Sequence, residues 1–156
     1  MKSAKHLAFL HNARLLQTEL GITPLLYGSL GLECRAGIPL NADDVDMLIP
    51  ECWLTDKWPV LKALLEQNGY VLTDEHEHDF LKDGIHYAYA RLEELAPFAG
   101  ILPEDIETIR HQDVSFLLLS LAQYRKVYTV SAKDGYRIHT RGKKDNEKIA
   151  LIDRLL

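Results

Sequence analysis

The sequence predicts an α+β fold: a small mixed β-sheet with flanking helices and a C-terminal two-helix tail. Three observations carry that reading. Helix-period and strand-like segments follow one another irregularly, as helix, strand, turn, strand, helix, several strands and two helices, rather than as βαβ repeats. Hydrophobic residues make up 47% and charged residues 26%, a globular balance far from disordered or collagen-like chains. A chain of 156 residues buries about two-thirds of the surface it exposes when unfolded, enough for a core without disulfide or metal staples. The core is expected at residues 1–118, with a helical tail packed on it at 119–156.

Residues 4–20 carry Leu7, Leu10, Leu15 and Leu16 near helical spacing and stop at Gly21, so they form the first helix. Leu25–Tyr27 is a short apolar strand ended by Gly28-Ser29, and residues 29–36 form a short helix closed by Gly37. Pro39, Asn41 and Asp43 mark a loop. Val45–Pro50 carries Val45, Met47, Leu48 and Ile49, too apolar for a surface ribbon, and reads as a strand buried on both faces. Asp56–Asn68 is a helix with a stripe of Val60, Leu61, Leu64 and Leu65 and a stop at Asn68-Gly69. Tyr70–Thr73 is a short strand, and Asp74 to Asp79 a polar turn. Phe80–Leu81 and Ile85–Arg91 form an antiparallel pair around Lys82-Asp83-Gly84. Leu92–Leu95 is one helical turn, and residues 105–119 mix strand-like and apolar residues without definable boundaries. Ser120 caps a helix to about Lys133, with Tyr124, Val127 and Tyr128 on one stripe. A last helix over about 143–155 carries Ile149, Ile152 and Leu155.

Eighteen basic against 23 acidic residues give a net charge of −5, which argues against a duplex nucleic acid as partner, since that surface needs a basic face. Cys34 and Cys52 have neither CxxC spacing nor a neighbouring His, so reduced thiols without chemistry are expected. His11, Asn12 and Arg14 interrupt the apolar N-terminal stretch, which is therefore no signal peptide. The most apolar run, Val114 to Ala122, falls far short of the roughly 20 residues of a membrane span. No membrane partner and a cytoplasmic setting are expected.

The chemistry concentrates in residues 25–50. A strand ends in Gly28-Ser29, a short helix and loop follow, and a second strand opens with Asp44-Val45-Asp46-Met47. Residues two apart on a strand share a face, so Asp44 and Asp46 point the same way. Two adjacent carboxylates repel unless a cation lies between them, and Mg²⁺ takes one or two carboxylates plus substrate phosphates. Gly28 admits close approach of a phosphate, Ser29 adds a hydroxyl, and the helix start beside them adds free N–H donors. Each piece alone is common in ordinary loops and solvated strand edges; their order and spacing give the functional reading.

This arrangement resembles the nucleotidyltransferase superfamily, the DNA polymerase beta-like fold, and its small bacterial members such as aminoglycoside nucleotidyltransferases. The match rests on Gly28-Ser29 and Asp44-Val45-Asp46-Met47, with fourteen residues between the two motifs. The resemblance implies that Gly28 and Ser29 hold the triphosphate of a nucleotide, ATP by default, and that Asp44 and Asp46 hold Mg²⁺. It further implies transfer of a nucleoside monophosphate to an acceptor hydroxyl, with pyrophosphate leaving. The acceptor, a small molecule or a protein, is not specified. The third carboxylate of the family falls at Ile85-His86-Tyr87, where this chain has His86. A histidine can act as general base but is a poorer Mg²⁺ ligand than a carboxylate. Asp83, Glu93 and Glu94 lack the hydrophobic flanks to replace it. The same resemblance therefore also accommodates a weak or inactive member, a nucleotide-binding or antitoxin-like module with a protein partner or a second copy of the chain.

Three further features compete with ordinary packing or solvation. His76 and His78 would share a face of an extended segment and could hold Zn²⁺ or Ni²⁺, although a charged hairpin tip is the plainer reading. Tyr124, Tyr128 and Tyr136, with Arg125, Lys126, Lys133 and Arg137, give the tail a basic-aromatic character that could flank a nucleotide. Trp53 and Trp58 could stack on a base or acceptor, or pack in the core.

Overall fold

The computed structural model describes residues 3–133 and 142–156. Helix α1 (Ala4–Leu20) starts at Ser3, whose hydroxyl accepts from the His6 backbone N–H, and ends at Gly21 in the left-handed conformation. It buries Phe9, Leu10, Ala13 and Leu16. Leu7, assigned to that stripe from sequence, faces solvent, because the packed face is set by Phe9 and Ala13. Strand β1 (Leu25–Tyr27), helix α2 (Gly28–Ala36) and strand β2 (Val45–Ile49) follow. A 3₁₀ turn at Glu51–Leu54 leads to α3 (Trp58–Gln67), which buries Leu61 and Leu65. Val60, also expected on the buried stripe, is exposed, so the contact stripe is narrower than the apolar one.

Strands β3 (Val71–Asp74), β4 (Asp79–Lys82) and β5 (Ile85–Arg91) form a meander, and α4 (Leu95–Ala99) follows a short 3₁₀ turn. The stretch without definable boundaries is a hairpin of β6 (Glu107–His111) and β7 (Val114–Leu118). Its turn holds Gln112 at φ 57° with no glycine, which hid it from turn rules. Helix α5 (Leu121–Lys133) opens with a capping box: the Gln123 backbone N–H donates to Ser120 Oγ, and the Ser120 N–H donates to Gln123 Oε1. Helix α6 (Gly142–Leu155) completes the two-helix tail. Among the described residues there are six α-helices around one seven-stranded mixed sheet, the expected α+β class.

The strand order is β3-β4-β5-β2-β1-β7-β6. β1 runs antiparallel to β2 and parallel to β7, and β2 runs parallel to β5. Alternation assigns each central strand to two different cores. Leu26, Val45, Met47, Ile49, Tyr87, Tyr89, Phe80, Phe116 and Leu118 pack with α1 and α3 on one face. Leu25, Leu32, Leu48 and Leu119 pack with Tyr124, Val127, Tyr128 and Ile152 of the tail on the other. The tail thus shares a core with residues 25–48. No helix of the described residues is long and apolar enough to cross a membrane.

Candidate functional site

On the tail side of the sheet, the register sets two rows of side chains across the centre. Tyr27, Asp46 and Ala88 form one row, and Leu25, Leu48 and Ala90 the next. The alanines leave space that larger residues would fill. Above them opens a cavity of about 620 Å³, lined by Gly28, Ser29, Asp46, Ala88 and Ala90 and walled by α5 and α6 through Tyr124, Tyr128, Ser131 and Lys148. Arg91, Glu51 and Glu94 line its far end, and His76, Glu77 and His78 of the β3–β4 turn also line it.

Gly28 is the pivot between β1 and α2. Its φ is 63°, and a Cβ added there would sit 2.5 Å from Asp46 Oδ2 and 3.3 Å from Asp46 Cβ. The hydrogen-only side chain is therefore what lets the Asp46 carboxylate rest against the first turn of α2. No side chain caps that helix at Tyr27, and its first N–H groups have no intrahelical acceptor. A carboxylate in this position meets the positive end of the helix. An incoming phosphate would meet the same end, and would need a cation to offset Asp46.

A second glycine seats the tail. At Gly31 of α2, a Cβ would fall 2.5 Å from the Leu26 carbonyl oxygen and directly on Tyr124 Oη. Tyr124, fully buried, donates its hydroxyl to that carbonyl at 3.3 Å. Tyr128, one turn on, stacks on Tyr124 with ring centroids 5.9 Å apart. The Lys148 ammonium of α6 lies 5.2 Å from the Tyr128 ring centre. Ser131 donates to the buried Asp145 carboxylate at 3.0 Å, tying α5 to α6.

The structure brings Gly28, Ser29 and Asp46 together at one end of the cavity. Asp44 lies just before β2, is exposed, and is not among the lining residues. His86 shares the sheet face of Ala88 but lies one step outside the cavity, with Nδ1 3.3 Å from Asp79 Oδ1. The β5 position in register with Asp46 is Ala88. His76 and His78 lie in a turn and not on an extended segment; His78 has φ 52° and its ring meets Trp58 edge-on at 4.6 Å. Burial, and then the neighbouring His76, hold the His78 imidazole below its ordinary pKa. Trp58 packs against the α1–α3 core, as does Trp53, over which Lys57 lies. Tyr136 and Arg137 lie outside the described residues. Sequence reasoning missed Ala88, Ala90, Arg91 and Lys148. The large–small alternation Tyr87-Ala88-Tyr89-Ala90 signals the first two.

Among the described residues, no group of three or more His, Cys, Asp or Glu is placed to hold a metal ion. The cradle at Gly28 holds one carboxylate oxygen, that of Asp46. Such a donor set fits a single Mg²⁺ whose remaining ligands are phosphate oxygens and water, not a cage of protein carboxylates.

No family model matches the chain. The uncharacterized protein YnaI of Bacillus subtilis (strain 168) is 38% identical over 148 residues, which cover 95% of each chain.

Proposed function

We propose that this chain, which belongs to the family of Bacillus subtilis YnaI, binds a nucleoside triphosphate in the cavity between the sheet and the tail. The observation that supports this most directly is the convergence of Gly28, Ser29 and Asp46 at the start of α2. Gly28 and the α2 N–H groups would receive phosphate oxygens, and Ser29 would donate its hydroxyl. Asp46, the aspartate of the pair that lines the cavity, would hold Mg²⁺, and exposed Asp44 would add charge near its rim. Bound Mg²⁺ would offset phosphate charge beside Asp46. ATP is the default nucleotide, since nothing at the site selects a base. Free thiols at Cys34 and Cys52 support a reducing, cytoplasmic setting.

Nucleotidyl transfer to an acceptor is the fuller reading of the same site, and the length of the cavity favours it. From the Asp46–Ala88 row to the Leu48–Ala90 row the floor advances two strand positions, about 7 Å, and Arg91 lines the cavity beyond it, which leaves room for an acceptor beyond the phosphates. Calorimetric titration of ATP with Mg²⁺ tests the binding proposal. Wild type should bind, and Asp46→Asn should weaken Mg²⁺-ATP on the order of tenfold or more. No binding by wild type would end the proposal. Release of pyrophosphate with pooled hydroxyl acceptors tests the transfer reading.

A further inference from the structure

We infer that Tyr124 is a positioning residue of the phosphate site: its buried hydroxyl, reaching from the tail against the first turn of α2, sets the direction of that turn, so that nucleotide binding and docking of the tail are linked. The inference rests on the nucleotide-binding proposal above and concerns what holds the phosphate end of the cavity in shape.

The turn that would receive the phosphates has no side-chain cap of its own. Strand β1 passes straight into α2 at Gly28, which takes the left-handed conformation at φ 63°. Glycine admits that backbone but does not fix it, since it is the least restricted residue. Leu30 and Leu32 anchor α2 in the two cores. Gly28 and Gly31 lie three apart and share a further, bare face of the helix. A Cβ on the first would strike Asp46, and a Cβ on the second would strike Tyr124. Two polar side chains from distant parts of the chain therefore rest on this face, a carboxylate from β2 and a phenol from the tail.

The phenol is the one that braces the turn. Tyr124 is fully buried, and its hydroxyl donates at 3.3 Å to the carbonyl of Leu26, two residues before Gly28. The hydroxyl thus straddles the hinge, touching the strand before Gly28 and the helix one turn after it. Its own place is fixed by the tail. The Tyr128 ring stacks on it, Val127 and Ile152 bury in the same core, and Ser131 ties α5 to α6 through Asp145. Tyr124 also lines the cavity with Gly28, Ser29 and Asp46. A docked tail then favours the turn that binds phosphate, and by linkage a bound nucleotide favours the docked tail.

The test compares Tyr124→Phe with wild type. The substitution keeps the ring and its stack on Tyr128 and removes only the hydroxyl. Tyr70→Phe, which removes a buried hydroxyl of the α1–α3 face outside the cavity lining, is the control. In calorimetric titration with Mg²⁺-ATP, Tyr124→Phe should bind about three- to tenfold more weakly than wild type, and Tyr70→Phe should be unchanged. Amide nuclear magnetic resonance without nucleotide should show the Gly28 and Ser29 peaks displaced in Tyr124→Phe and in place in Tyr70→Phe. Saturating Mg²⁺-ATP should slow hydrogen exchange of α5 amides on the order of fivefold or more in wild type, and by less in Tyr124→Phe. Circular dichroism on both variants separates loss of the site from loss of the fold. Equal ATP affinity of Tyr124→Phe and wild type would overturn the inference and leave the nucleotide proposal standing. So would unmoved Gly28 and Ser29 peaks, or α5 exchange that ATP does not change. Equal weakening by Tyr70→Phe would also overturn it, by tracing the loss to stability alone. Wild type that binds no ATP would remove both.

Discussion

The two faces of the central sheet are built from the same strands to opposite ends. Along β2, Met47 and Ile49 bury completely under α1 and α3, while Asp46 and Leu48 point toward the tail. Along β5, Tyr87 and Tyr89 face the first side, and Ala88 and Ala90 the second. The α1–α3 face is filled by large aromatic and aliphatic side chains, with Phe9 and Phe116 in edge contact at 5.1 Å. The tail face keeps small residues at its centre and a cavity of about 620 Å³. A period of two thus lets five residues of β2 supply both the packing that holds the sheet and the carboxylate that faces the cavity.

Substitutions on the two faces should therefore behave differently. Phe116→Ala empties the densely packed side and should cost about 3–5 kcal/mol in denaturant unfolding. A loss below about 1 kcal/mol would mean that this face has the slack of the other. Gly31→Ala acts on the seat of the tail, where the new methyl group meets the Leu26 carbonyl and Tyr124 Oη. It should cost about 1–3 kcal/mol and loosen α5, seen as a loss of near-ultraviolet tyrosine dichroism. Ala90→Leu places a larger side chain in open space and should change stability by less than about 1 kcal/mol, yet reduce ATP binding sharply in the same titration. If Ala90→Leu destabilises as strongly as Phe116→Ala, the contrast between the faces fails.

The faces also differ in pH dependence. Burial pushes Tyr87 up to about 12, and holds Tyr89 and Tyr124 well above the ordinary phenol value. A group whose folded pKa is raised contributes stability below its unfolded value, near 10, and loses it as pH rises through the folded value. The melting temperature should hold steady up to about pH 10 and fall between pH 10 and 12. Tyr89 also donates to Asn12 Oδ1 at 2.9 Å behind the α1–α3 face. Tyr89→Phe should reduce the alkaline fall but lower stability at neutral pH by about 1–3 kcal/mol, since Asn12 then loses a partner.

What was legible in the sequence was local. Helix stops at Gly21 and Gly37, the capping Ser120 and the short Leu25–Tyr27 strand all follow from neighbouring residues. So do Gly28, Ser29 and Asp46, because their motif marks strand ends directly. Helix phase was less secure: Leu7 and Val60 are apolar, but packing from Phe9 and Leu61 chose a different face. The sequence could not place Lys148 in the cavity, because that depends on α6 docking across Ser131 and Tyr128. Nor could it match Ala88 to Asp46, since the β2–β5 register joins segments separated by α3, β3 and β4. His86 has the hydrophobic flanks that the resemblance implies for a third site residue, but the residue in register with Asp46 is Ala88, two places later.

β1 lies between β2, its near neighbour in the chain, and β7, where Leu25 pairs with Leu117. At translation speeds of roughly 5–20 residues per second, the ribosome delivers Leu117 several seconds after Leu25. Throughout that interval the middle of the nascent sheet has an open flank, and the hinge at Gly28 has no tail to seat. The cavity is therefore among the last features to be assembled, and a chain truncated before β7 would expose an unpaired apolar strand to chaperones and aggregation.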